Sequence, residues 1–194
     1  ALHPEWTWRL LRSEPITFAN VAGQTGAEVS DAVNLAEYIN SQFDPALSWP
    51  DLEWFRSAWT KPIVLKGVQS VDDAVRAVDH GVDAIAISNH GGRQLDGAPA
   101  PIKLVAPVAA AVGDRVPVIC DGGIRRGSDI VKAVALGATA GMIGRAYLYG
   151  LGAAGERGVD HVLDHLAEGM RRTMALIGCP TIADLSAAAV SWRA

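Results

Sequence analysis

Cysteine is nearly missing from this chain: two residues in 194, Cys120 and Cys179, lie far apart with neither metal-like nor redox-like spacing. That pattern fits a reduced intracellular protein and gives no sign of a zinc site. No run of lysine or arginine interrupts the mixed charges, which sum to −4, so a stripe able to neutralise a nucleic-acid backbone is not to be expected. Long apolar runs are missing too. The stretches around Leu104 to Val112 and Val131 to Ile143 are broken by charge or glycine short of the ~20 residues a bilayer span needs. The start, Ala1 to Trp8, has no basic region followed by an apolar one, and no initiating methionine. The expectation is a piece of something longer.

What remains is a chain with 49% apolar residues, long enough to bury a core. From Lys61 onward, short β-branched runs alternate with helical patterns, the signature of β/α units around a parallel sheet. Pro62 to Leu65 reads as a strand ending at Lys66. Ser70 to His80 reads as a helix, with Val71, Ala74, Val75 and Val78 on one face and Ser70 placed to cap it. Asp83 to Ser88 is a second strand, followed by a glycine-rich loop and a helix over Pro101 to Val112. Val116 to Cys120 is a third, followed by a Gly-Gly turn and a helix from Ser128 to Leu136 that Gly137 ends. Ala140 to Ile143 is the fourth. Tyr147 to Leu151 and Val159 to Ile177 form a closing helical tail. The first 60 residues offer helices over His3 to Leu11, Val29 to Phe43 and Pro50 to Trp59, with a loop over Ser13 to Ala27, and no convincing strand.

Four such units make half of an eight-stranded (β/α)8 barrel, whose two open edges need cover from other sequence, a second copy or an unlike partner. The division expected is a helical and loop segment over residues 1–60 and a half-barrel over 61–194. In barrels of this class the C-terminal ends of the strands carry the active site. Here those ends present Lys66, then Ser88 to Arg93, then Asp121 to Gly127, then Gly144 and Arg145. The last two loops suit a phosphate, because their glycines admit backbone N–H groups to an anion and an arginine forks onto its oxygens. Solvated arginines on ordinary turns are the alternative for either loop alone; two in succession favour the anion. In the second loop, His90 and Arg93 stand three apart across two glycines. A histidine suits proton removal and an arginine a planar carboxylate, so the pair suggests a substrate whose carboxylate lies beside a removable proton. Lys66 can stabilise negative charge on a bound ring or simply form an ion pair. His3, His80, His161 and His165 receive no role.

Four stretches, LKG at Leu65 to Gly67, SNHGGRQLDG at Ser88 to Gly97, DGGIRRGSDIVKAVALGA at Asp121 to Ala138 and IGRAYLYGL at Ile143 to Leu151, closely resemble the FMN-dependent 2-hydroxy-acid oxidases and dehydrogenases. The likeness runs from about His3 to Ser186. It implies an α/β (β/α)8 barrel of which this chain carries the last four units. His90 would be the catalytic base and Arg93 the ligand of the substrate carboxylate. Lys66 would sit by the flavin N1 and C2 carbonyl, Ser88 would touch the flavin, and Asp121, Gly122, Gly123, Ile124, Arg125, Gly144 and Arg145 would hold the ribityl chain and phosphate. The implied cofactor is FMN and the implied reaction takes a small 2-hydroxy acid, L-lactate as first choice, to the 2-oxo acid, by carbanion formation or by hydride transfer. Electrons would pass on to oxygen, a quinone or a cytochrome.

The resemblance further implies a homo-oligomer in the full-length form and a cytoplasmic location, with peripheral attachment at the inner face of the membrane as an alternative. The family's first four strands, its active-site tyrosines and a further substrate-binding arginine would lie upstream of Ala1. Two rival readings stand beside this one: another phosphate-binding barrel enzyme, which would have no need of the His90–Arg93 pair, and a non-catalytic half-barrel that keeps only the anion site.

Overall fold

A computed structural model describes residues 3–13 and 41–192. The chain divides into two compact units, Ala1–Ser48 and Trp49–Ala194. In the first, α1 (Pro4–Arg12) begins with proline in its first turn, where the missing N–H costs nothing. The Thr7 hydroxyl donates to the His3 carbonyl at 3.0 Å, and the Arg12 guanidinium stacks 4.1 Å from the centre of the Trp8 ring. The loop expected over Ser13 to Ala27 and nearly all of the helix expected over Val29 to Phe43 lie outside the described residues.

The second unit opens with α2 (Asp51–Ala58). This helix belongs with the sheet rather than with the segment before it: Trp49 and Leu52 pack on the main core, Trp49 stacks on His80 at 5.9 Å, and Arg56 donates to the Gly81 carbonyl at 2.7 Å and to Asp83 at 2.6 Å. Four parallel strands follow in spatial order β1-β2-β3-β4, which are Val64–Val68, Ala84–Ser88, Val118–Asp121 and Ala140–Met142. Between them run α3 (Val71–Asp79), α4 (Ile102–Val112) and α5 (Gly127–Ala135), and behind them α6 (Arg145–Ala154) and α7 (Glu156–Leu176). Ser70 caps α3 by accepting from the Asp73 N–H at 3.0 Å. Among the described residues the outer edges of β1 and β4 have no strand partner, and no helix is long and apolar enough to cross a membrane.

Side chains alternate across a strand, so register decides which face each residue serves. Leu65 pairs with Ile85, Ile85 with Val118, and Ile87 with Cys120; this face meets α3 and α4 through Val78, Val105, Val108 and Val112 in the core. The other face carries Lys66, Ala86 and Ile119 in one row and Ser88, Asp121 and Met142 in the next. β1 runs further than expected, past Lys66 through Gly67 to Val68. A bulge between Lys66 and Val68, with Gly67 at φ +102°, turns Val68 back onto the helix-facing core. β3 likewise runs one residue further than expected, so that Asp121 ends the strand instead of following it.

Helices α6 and α7 meet where Gly150 faces Gly158, so closely that a methyl group on either would strike the other's backbone carbonyl. Gly127, at the start of α5, is pressed in the same way against α7 at Gly169 and Met170. Gly158→Ala is therefore expected to lower stability by about 1–3 kcal/mol through overpacking. By contrast, Gly152→Ala, whose new methyl meets nothing, should be neutral or stabilising by up to about 1 kcal/mol. Urea unfolding of the two variants beside the parent checks the pair, and equal midpoints would refute the close crossing.

Candidate active site

The parallel register sets the polar ends of the strands at one rim. Ser88, the last residue of β2, stands opposite Asp121, the last of β3, and both are buried, at 1% and 8% exposure. The Ser88 hydroxyl donates to Asp121 Oδ2 at 2.6 Å. Lys66 Nζ, arriving from β1, lies 2.9 Å from the same oxygen and 3.1 Å from Ser88 Oγ. On position alone the Lys66 ammonium could serve a ring or an ion pair; in this structure it makes the ion pair.

After Ser88 the chain enters three successive residues with positive φ: His90 at 52°, Gly91 at 67° and Gly92 at 74°. Glycine takes this conformation freely, whereas His90 is the lone non-glycine to do so among the described residues. Two side chains hold the turn. The His90 N–H donates to Ser88 Oγ at 3.1 Å and the Gly91 N–H to Asn89 Oδ1 at 3.0 Å. His90 Nδ1 lies 3.2 Å from the Gln94 side-chain amide, a neighbour able to fix the ring's orientation and tautomer.

A cavity of about 1010 Å³ opens above this rim. Ten of the eleven residues singled out in the sequence line it: Lys66, His90, Arg93, Asp121, Gly122, Gly123, Ile124, Arg125, Gly144 and Arg145. Ser88 does not line it; it is buried beside Asp121 in the same row, with its hydroxyl bonded to that carboxylate. Ile124 turns its side chain inward against Gly141, so its backbone is what it can offer an anion. Arg125 and Arg126 give their N–H groups to Asp129 Oδ2 at 3.1 and 3.0 Å. That carboxylate satisfies the start of α5, which begins at Gly127 rather than Ser128, and leaves Arg125 to contribute through its guanidinium. The N-terminus of α6, after Gly144, has no side-chain cap and is the terminus open to a phosphate. Arg145 stands there and donates to the Gly91 carbonyl at 3.2 Å, joining the last loop to the histidine loop.

Tyr149 of α6 and His161 and His165 of α7 also line the cavity. Sequence reasoning passed over them. The two histidines are one turn apart and flank the apolar stripe through Val162 and Leu166, which is the one signal that could have placed them. Cys120, by contrast, is excluded from chemistry: burial first, and the adjacent Asp121 charge second, push its thiol up to about 11. Among the described residues no cluster of His, Cys, Asp and Glu could hold a metal ion.

The cavity suits a phosphorylated ring cofactor. Cations crowd it, the positive-φ turn Gly122-Gly123 exposes backbone N–H groups, and a Cβ on Gly123 would meet nothing, leaving room for close approach. Residues 1–192 match the sequence pattern of the FMN-dependent dehydrogenases. The chain is 43% identical over 187 residues to an L-lactate dehydrogenase of Caulobacter vibrioides, covering 96% of this chain and 49% of that one. A pre-mycofactocin synthase of Mycobacterium tuberculosis is 49% identical over 185 residues, covering 95% and 47%. A monotopic membrane (S)-mandelate dehydrogenase of known structure superposes with a TM-score of 0.86 at 44% identity, covering 98% of this chain and 50% of the other. The chain thus spans about half the length of the curated relatives it matches.

The contact between Gly91 and Arg145 gives a direct check on the anion rim. Gly91→Ala and Gly92→Ala both force a side chain into a positive-φ position, but only the first strikes the Arg145 guanidinium. FMN titration followed by flavin fluorescence should show affinity about tenfold weaker in Gly91→Ala than in Gly92→Ala, the value of one charge-assisted hydrogen bond of roughly 1.5 kcal/mol. Equal affinities would remove Arg145 from the site.

Proposed function

Because the chain belongs to the FMN-dependent dehydrogenase family, we propose that the protein of which it forms the catalytic rim oxidises a small L-2-hydroxy acid, L-lactate first, to the 2-oxo acid. The observation that carries this reading is the placement of His90 and Arg93 in one cavity with Lys66 and the Gly122-Gly123, Gly144 and Arg145 anion rim. Bound FMN would supply the two-electron acceptor. Gly122, Gly123, Gly144, Arg125 and Arg145 would hold its phosphate and ribityl chain, and Lys66 the charge of its reduced ring.

The residues of this chain then divide the work. Arg93 forks onto the substrate carboxylate and so fixes which way the neighbouring carbon faces. His90 takes a proton from the hydroxy acid as two electrons leave it; the second hydrogen departs with the electrons or as a separate proton. His90 lines the cavity from its positive-φ position, and Gln94, 3.2 Å from Nδ1, steadies the ring. Electrons leave for an acceptor of the oxygen, quinone or cytochrome class. The exposed Trp6, Trp8 and Leu11 of α1, together with a monotopic membrane protein among the structural relatives, favour peripheral membrane association as the finer reading of location.

Two substitutions separate the roles. His90→Gln removes the base and no anion ligand, so it should leave FMN bound while slowing reduction by a 2-hydroxy acid at least about 100-fold. Stopped-flow bleaching of the flavin absorbance reads this, and a variant that bleaches at the parent rate would sink the assignment. Arg93→Lys keeps charge but loses the fork; its apparent affinity for L-lactate should weaken by about tenfold or more. An unchanged affinity would mean that Arg93 is not the clamp.

A further inference from the structure

Ser88 makes more bonds than a cofactor contact would require. A hydroxyl has one proton to give and two lone pairs to receive with. Here the proton goes to Asp121 Oδ2 at 2.6 Å, while the oxygen accepts from Lys66 Nζ at 3.1 Å and from the His90 N–H at 3.1 Å. Its capacity is filled and its residue is 1% exposed. A direct hydrogen bond from Ser88 to a bound ring would break one of these three. Asp121 is similarly engaged, with Oδ2 held by both the Ser88 hydroxyl and the Lys66 ammonium.

The same hydroxyl anchors the one non-glycine residue with positive φ among those described. The amide that leads into the His90 conformation is tied to Ser88, and Ser88 is fixed in turn by a buried carboxylate that also fixes Lys66. The cation assigned to the reduced ring and the base assigned to the substrate proton therefore share a single oxygen as their common support.

We propose that Ser88, held by Asp121, is a positioning residue that ties the Lys66 ammonium to the backbone of His90, so that cofactor cation and catalytic base are set in one fixed relation. The tie between the three residues stands on geometry; its catalytic meaning rests on the function proposed above. Ser88 touches neither reacting atoms nor substrate, and its effect travels through His90 and Lys66.

Ser88→Ala tests this with little change in volume. Amide hydrogen exchange, read by NMR in the protein without substrate, should accelerate at least tenfold at His90 while Ile85 and Ile87 in the same strand keep the parent rate. An unchanged His90 rate, or an equal acceleration along the whole strand, overturns the tie. Asp121→Asn gives a second reading if Ser88→Ala does not fold: with the charged acceptor gone the hydroxyl loses its fixed direction, and His90 exchange should rise at least threefold, no rise being the contrary result. In the FMN-loaded full-length protein, Ser88→Ala should lower kcat at least tenfold with KM for L-lactate within twofold, since Arg93 is untouched; a change confined to KM contradicts positioning of the base. Exchange at His90 that responds as stated, in a protein whose flavin no 2-hydroxy acid reduces, would keep the tie and remove the functional reading.

Discussion

In the register of β2 against β3, Ser88 faces Asp121 across a buried pair of strand ends, and a carboxylate that is 8% exposed needs a cation or donors close by. Lys66 and the Ser88 hydroxyl meet that need. With those bonds made, the Lys66 ammonium and the Ser88 hydroxyl are both directed onto Asp121 Oδ2. The next residue but one, His90, inherits its amide partner from the same serine. Gly91 and Gly92 let the chain follow a course that no other residue pair would take readily, and Arg145 closes over the Gly91 carbonyl from the far end of the sheet. The rim is a chain of linked placements that starts at the buried Ser88–Asp121 pair and runs out to the exposed bond between Arg145 and Gly91.

The helices serve that rim by holding its outer strands in place. β4 is only three residues long, too short to orient Gly144 and Arg145 unaided. Behind it α6 and α7 cross at Gly150 and Gly158 with backbones in contact, and α7 also packs on the start of α5 at Gly127. That arrangement fixes the uncapped N-terminus of α6 beside the Gly122-Gly123 turn, and both face one cavity. It also brings Tyr149, His161 and His165 to the wall. Sheet order β1-β2-β3-β4, with both outer edges free among the described residues, agrees with half of the (β/α)8 barrel to which the family belongs and with a chain about half as long as its relatives.

Much of this was legible in the amino-acid pattern. β-branched runs marked the four strands and their order, Ser70 marked the start of α3, and the chemistry-bearing residues fell at or just past the C-terminal ends of the strands, where a barrel keeps them. What the pattern did not carry was anything that depends on register or crossing. Lys66 looked like the end of β1, yet pairing with the buried β2 carries the strand on through Gly67 by way of a bulge. For Ser88 the resemblance implied a contact with the flavin; what the pattern could not show is that register sets it opposite Asp121 one strand away, buried and bonded to that carboxylate. Ser128 looked like the opening of α5, but Asp129 reaches back to two amides and moves the start to Gly127. The two histidines of α7 carry no signal of their own until the helix crossing aims them.

Family membership and a cavity that holds His90 and Arg93 with the glycine and arginine rim support the proposal of a flavin held beside a base and a carboxylate clamp. The most direct measurement is the visible absorption spectrum of the protein with FMN, recorded before and after anaerobic addition of L-lactate. A bound-flavin band near the usual position that bleaches on adding the hydroxy acid is the result expected. A tightly bound flavin that no small 2-hydroxy acid bleaches would contradict the account, and would leave His90 and Arg93 facing a different substrate.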